Sequence, residues 1–79
     1  MNIFEAAWEA FPQGKGIGLP CIPDITIQDD DEVEYLVAVT DEGVAHVGWN
    51  PTAQELTDED WITKERIEIK SRVHPSDHF

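Results

Sequence analysis

Trp49-Asn50-Pro51-Thr52-Ala53-Gln54-Glu55-Leu56-Thr57-Asp58-Glu59-Asp60-Trp61 is the stretch on which the fold turns. Pro51 presets φ near the helical value, about −65°. Thr52, followed three residues later by Glu55, has the form of a capping box. In that motif the Thr hydroxyl accepts the N3 backbone N–H and the Glu carboxylate accepts the cap N–H. Leu56 is the one aliphatic side chain available to pin the short helix to a core. Asp58, Glu59 and Asp60 make an acidic exit before Trp61. The stretch therefore reads as a corner, in which a strand ends, one or two helical turns follow and another strand begins.

Upstream lies a hairpin. Val33, Tyr35, Val37 and Val39 alternate with Glu34, Leu36, Ala38 and Thr40, and Asp41-Glu42-Gly43 supplies a tight turn with glycine for a left-handed position. Val44 to Trp49 is the return strand, with Ala45, Val47 and Trp49 on one face and Val44 and His46 on the other. Both faces of the first strand are apolar enough to place it centrally, with a neighbour on each side. Downstream, residues 61 to 73 read as one last strand. Ile67, Ile69 and Val73 point one way, and Lys64, Arg66, Lys70 and Arg72 the other. The tail His74-Pro75-Ser76-Asp77-His78-Phe79 reads as frayed, and its two histidines are a weak metal signal.

At the other end, Asn2 and Glu5 give a second cap signal. Ile3, Phe4, Ala7, Trp8 and Phe11 recur at helical spacing, which predicts a helix over 3–11 with its apolar face in the core. Pro12 and Gly14 stop it. The following Gly14-Lys15-Gly16-Ile17-Gly18 matches neither phosphate-loop spacing and reads as a link into a short strand near Ile17 and Leu19. Pro20, Cys21 and Pro23 mark an irregular passage or a sheet edge, and Ile25 and Ile27 a brief strand. Asp29-Asp30-Asp31-Glu32 is an acidic turn without the spacing of a calcium loop. The expected fold is α+β over 1–79 as a single domain. It comprises an N-terminal helix, an antiparallel sheet of four to five strands, and a short helix before the last strand.

Charge narrows the function. Seventeen Asp and Glu against five Lys and Arg give a formal net charge of −12 on 79 residues. Such a surface repels nucleic acid and anionic membrane and favours basic partners. The expected class is a binding protein rather than an enzyme. Ser71 and Ser76 have no adjacent base motif, the three histidines are scattered, and neither HExxH nor CxxC occurs. No cofactor or metal is expected. Cys21 is the one cysteine, expected as a buried inert thiol in a reducing setting. The N-terminus carries acids at once, with no basic leader, and no apolar run approaches the ~20 residues of a membrane span.

Two stretches resemble the second Thoeris anti-defence family of small phage proteins. The first is Phe4-Glu5-Ala6-Ala7-Trp8-Glu9-Ala10-Phe11-Pro12-Gln13-Gly14-Lys15-Gly16-Ile17. The second is the corner itself, whose Trp49, Pro51, Thr52, Glu55, Leu56, Glu59, Asp60 and Trp61 match the family's W-x-P-[ST]…[ED]-D-W signature. Where the family shows an Arg and then Gly-Trp-Asn after the Gly-Lys, this chain has Ile17-Gly18-Leu19-Pro20-Cys21. The resemblance implies a compact α+β fold, a homo-oligomer and a role in the host bacterial cytoplasm against bacterial immunity, by sequestering signalling nucleotides.

Two anti-defence mechanisms follow. In the first, an acidic surface mimics nucleic acid and blocks a basic DNA- or RNA-binding surface of a CRISPR effector complex, as several anti-CRISPR proteins do, with no direct nucleic-acid binding. Its candidate residues are Asp29, Asp30, Asp31, Glu32, Glu34, Asp41, Glu42, Asp58, Glu59 and Asp60. Carboxylates on alternate strand residues are spaced about 6.6–6.8 Å, suiting a groove lined with Lys and Arg. In the second, a small cyclic nucleotide is bound, with Lys64, Arg66, Lys70 or Arg72 meeting phosphates and Trp49 or Trp61 stacking on the base. A structural or regulatory phage protein without an immune target is the reading from another class.

Overall fold

The expected hairpin is the centre of a six-stranded sheet. In a computed structural model, which describes residues 1–33 and 35–74, the elements run α1 (Ile3–Ala10), a 3-10 turn (Phe11–Gln13), β1 (Gly16–Gly18), β2 (Ile25–Asp29), β3 (Leu36–Thr40), β4 (Val44–Val47), α2 (Ala53–Thr57), β5 (Ile62–Lys64) and β6 (Ser71–Val73). The strand order is β5-β1-β2-β3-β4-β6. β3 is central, as its two apolar faces require, between β2 and β4. The turn closes with the Gly43 N–H donating to the Thr40 carbonyl at 2.9 Å, Gly43 having φ +89°.

The class is α+β, but the sheet is larger than expected and mixed, because β4 and β6 pair in parallel. The single last strand expected over 61–73 is two strands on opposite edges of the sheet. Residues 65–70 cross between them. The crossing spans five strand spacings, about 24 Å. Seven residue steps from Lys64 to Ser71 reach about that far only when nearly extended. The segment is thus a taut strap across one face of the sheet.

Each face has its own core. On one, α1 covers Ile17, Leu19, Ile27, Ala38 and Trp61, with Ile25, Leu36 and Trp49 packed alongside. On the other, Ile67 and Ile69 of the strap cover Val37, Val39 and Ala45. Strand alternation sends Val37 and Val39 to the strap side and Ala38 to the helix side. Gln28, buried beneath the strap, clamps it by donating Nε2–H to the Ile67 carbonyl at 3.0 Å and accepting the Ile67 N–H at 2.9 Å.

Three sequence expectations about packing are overturned. Trp49 does not share a face with Ala45 and Val47, because Gly48, at φ +84°, breaks the strand alternation and sends Trp49 to the helix side. Leu56 does not pin α2, being 46% exposed. The α2 turn is held instead by the Trp61 Nε1–H, which donates to the Glu55 carbonyl at 2.8 Å. Cys21, expected buried, is exposed in the turn between β1 and β2.

A fourth correction concerns α1. Ala6 and Ala10 are its fully buried residues, whereas Phe4 and Trp8 are 70% and 81% exposed. At about 100° per residue, the exposed aromatic pair sits roughly 120–160° round the axis from the buried alanines. Small side chains let the helix approach the sheet closely, so the aromatics are displaced to the rim. Both helices are capped as read. Asn2 with Glu5, and Thr52 with Glu55, each form both bonds of a capping box.

Gly16 has a packing reason rather than a phosphate one. A Cβ there would lie 2.6 Å from Thr26 Cγ2 and 2.8 Å from the Ile27 carbonyl oxygen, so β1 and β2 could not approach as they do.

Candidate functional site

The acidic residues fall at two ends of the sheet. The register of β2 against β3 pairs Ile25 with Thr40 and Asp29 with Leu36. Asp29-Asp30-Asp31-Glu32 therefore lies at one end, and the Asp41-Glu42 turn at the other, beside Asp24, whose carbonyl accepts the Asp41 N–H at 3.1 Å. Asp58, Glu59 and Asp60 leave α2 towards β5, and the Met1 ammonium donates to the Glu59 carbonyl at 2.9 Å. Glu34 lies outside the described residues, as does His78.

Three of the four acids of the first run are paired within the chain. Arg72 of β6 donates to both carboxylate oxygens of Asp30, at 2.6 and 2.9 Å, and reaches Glu32 at 3.0 Å. Asp30's side chain is 3% exposed, and its carboxyl is held well below the usual range, at about 2. The Arg72 hydrogen bonds are the main cause; burial opposes them, and the backbone N–H of Glu32 adds to the lowering. Arg66 of the strap binds both the carboxylate and the carbonyl of Asp29. Asp30, Glu32, Arg66 and Arg72 line a polar hollow of about 350 Å³ with Gln28 and Asp31.

The cations expected on one strand face are dispersed for the same reason that the strand is split. Lys64, on the β5 edge, donates to the carbonyls of Pro23 and Ile25 at 2.8 and 3.0 Å. Arg66 and Arg72 are committed to the first acidic run, Lys15 pairs with Glu65 at 3.5 Å, and Lys70 sits beside Gly43 at the hairpin tip. No four-cation cradle forms among the described residues. By contrast, Asp31, Asp41, Glu42, Asp58, Glu59 and Asp60 have no side-chain ion pair among the described residues.

Trp49 and Trp61 are brought together, in an edge-on pair with ring centres 6.4 Å apart and planes at 78°. They line an apolar cavity of about 240 Å³ with Leu19, Ile22, Ile25, Ile27, Ala38 and Glu55. Arg66 and Arg72 lie on the strap side, across the sheet from these rings. Sequence reasoning did not single out Ile22, or the exposure of Phe4 and Trp8. The available signal was the Ala6–Ala10 pair at i, i+4, the spacing of a close helix-to-sheet contact.

Among the described residues, no group of three His, Cys, Asp or Glu side chains is set to hold a metal ion, and no helix is long and apolar enough to cross a membrane. Compared with protein-family models, curated proteins and solved structures, the chain finds no match.

Proposed function

We propose that the chain acts by binding, as an acidic decoy for a basic, nucleic-acid-binding protein surface, with the guide-loaded effector of a bacterial CRISPR complex as the target class. The observation that carries this reading is the fate of the charges. Four of the five cations are used inside the chain, on Asp29, Asp30, Glu32, Glu65 and backbone carbonyls, while six acids at the hairpin tip, after α2 and at Asp31 remain unpaired among the described residues. The working acids are therefore Asp31, Asp41, Glu42, Asp58, Glu59 and Asp60. Asp29, Asp30 and Glu32 serve mainly the fold. The resemblance to phage anti-defence proteins supports the cellular setting.

The test is competition between this chain and DNA for a guide-loaded effector, read by gel shift. Inhibition should weaken about tenfold as ionic strength rises from low to well above physiological, because exposed charges are screened beyond ~8 Å at 0.15 M. Inhibition that is flat with salt, or absent, removes the reading.

A second reading, capture of a cyclic nucleotide, is favoured by the aromatic-lined cavity at Trp49 and Trp61, into which the flat base would fit. Arg66 and Arg72 lie across the sheet from that cavity and are engaged with carboxylates, so the phosphates would have to find other partners. A melting scan with a panel of cyclic nucleotides tests it, and no stabilisation by any of them ends it.

A further inference from the structure

Phe4 and Trp8, with Ala7, Phe11 and Pro12, form a shallow apolar groove of about 320 Å³ along the outer face of α1. An 81% exposed Trp beside a 70% exposed Phe is an expensive surface for a chain with only three tryptophans. Among the described residues, none covers these two rings. Phe4 and Trp8 project one turn apart, with half-buried Phe11 next in the row, the spacing with which one helix receives another. Exposed Glu5 and Glu9 flank the groove, and Glu59 lies against the start of α1, where its carbonyl accepts from Met1.

We infer that this groove is the apolar anchor of the binding surface, and that its occupant is a basic amphipathic helix of a protein partner. Size and charge both point that way. Phe4 and Trp8 together expose on the order of 300–400 Å², about half of the ~800 Å² per partner that a stable interface buries. The patch therefore suits a hot spot inside a larger, charged contact better than a self-sufficient dimer face. A second copy would bring −12 against −12 and set Glu5 and Glu9 against their own kind. A helix with Lys or Arg beside its apolar stripe satisfies the rings and the acidic rim together. The inference rests on the acidic-decoy reading and adds to it where, and by which side chains, the partner is gripped.

The test uses a synthetic Lys-rich amphipathic helical peptide with a leucine stripe, dye-labelled and followed by anisotropy, beside a Leu→Ser peptide of the same charge. Expected are binding of the leucine peptide by the wild-type chain, and at least tenfold weaker binding by Phe4→Ala and by Trp8→Ala. The serine peptide should lose as much. Both positions are exposed, so melting temperatures should stay at the wild-type value, and circular dichroism checks this. Affinities unchanged in both variants overturn the anchor, as does wild-type sedimentation as a dimer that Trp8→Ala converts to monomer. A triple Asp58→Asn, Glu59→Gln, Asp60→Asn variant separates the two readings. If it weakens binding while Trp8→Ala does not, the decoy stands and the anchor falls. If Trp8→Ala weakens binding while the triple variant does not, the acidic reading falls, and if neither does, both fall.

Discussion

Asp29-Asp30-Asp31-Glu32 and Asp58-Glu59-Asp60 look alike in the chain and have opposite fates in the fold. The first run sits where the strap delivers Arg66 and the β6 edge delivers Arg72, so three of its four acids are paired and Asp30 is sealed from water. The second sits at an exposed exit, shaped by backbone bonds and by the Asp60 N–H donating to Asp58 Oδ1 at 2.8 Å, with no cationic side chain paired to it among the described residues. A run of acids is thus structural or available according to which cations the topology brings to it. The difference teaches that net charge is a poor map of working surface in a chain whose few cations are spent internally.

The comparison breaks first on stability. Asp30→Ala leaves Arg72 without its two-pronged partner, and urea unfolding should show a loss of about 2–4 kcal/mol. That is at or below the value for a fully buried pair, because the Arg72 side chain keeps some solvent contact. The Asp58-Glu59-Asp60 neutral triple should stay within about 0.5 kcal/mol of wild type. Equal losses would make the two runs equivalent.

Next comes the strap that carries the cations. Gln28→Leu leaves both backbone groups of Ile67 without their partner in a half-buried setting and should destabilise by about 1–2 kcal/mol. Hydrogen exchange at the Ile67 amide should accelerate in step. An amide that stays protected in the variant would show that the strap is held by apolar packing alone.

Acid sharpens the comparison further. A depressed carboxyl favours the fold above its unfolded pKa, near 3.8, and the advantage is lost as pH falls through its folded value of about 2. Unfolding free energy should therefore fall between about pH 4 and pH 2 in the wild type, with a visibly flatter limb in Asp30→Asn. The triple variant should keep the wild-type limb.

The smallest effect on the fold is the most telling for function. In the effector competition, the triple variant should weaken inhibition several-fold, whereas Asp29→Asn, which removes the charge facing Arg66 but keeps its carbonyl acceptor, should change it less than twofold. The reverse order would move the working surface to the neutralised end.

Much of the local architecture was legible because it is written in short-range chemistry. Both capping boxes, the Asp41–Gly43 turn and the central place of β3 follow from neighbours within a few residues. The corner from Trp49 to Trp61 held as a corner, although its fastening is an indole N–H and not Leu56. What escaped were features in which period and partner disagree. Residues 61–73 alternate like one strand, yet Ile67 and Ile69 alternate because a strap must bury every second residue too. The aromatics of α1 have helical spacing, yet the sheet selects the alanines, because only small side chains permit close approach.

The sequence by itself determined the class, the turn and cap positions and the acidic excess, since each depends on residue type and spacing alone. Only the tertiary structure decided which acids are paired, where Trp49 faces and which side of α1 is covered. The first of those outcomes depends on crossing the sheet between residues 64 and 71. That crossing puts Arg72 beside Asp30, some forty residues away in the chain, where no local pattern could have recorded it.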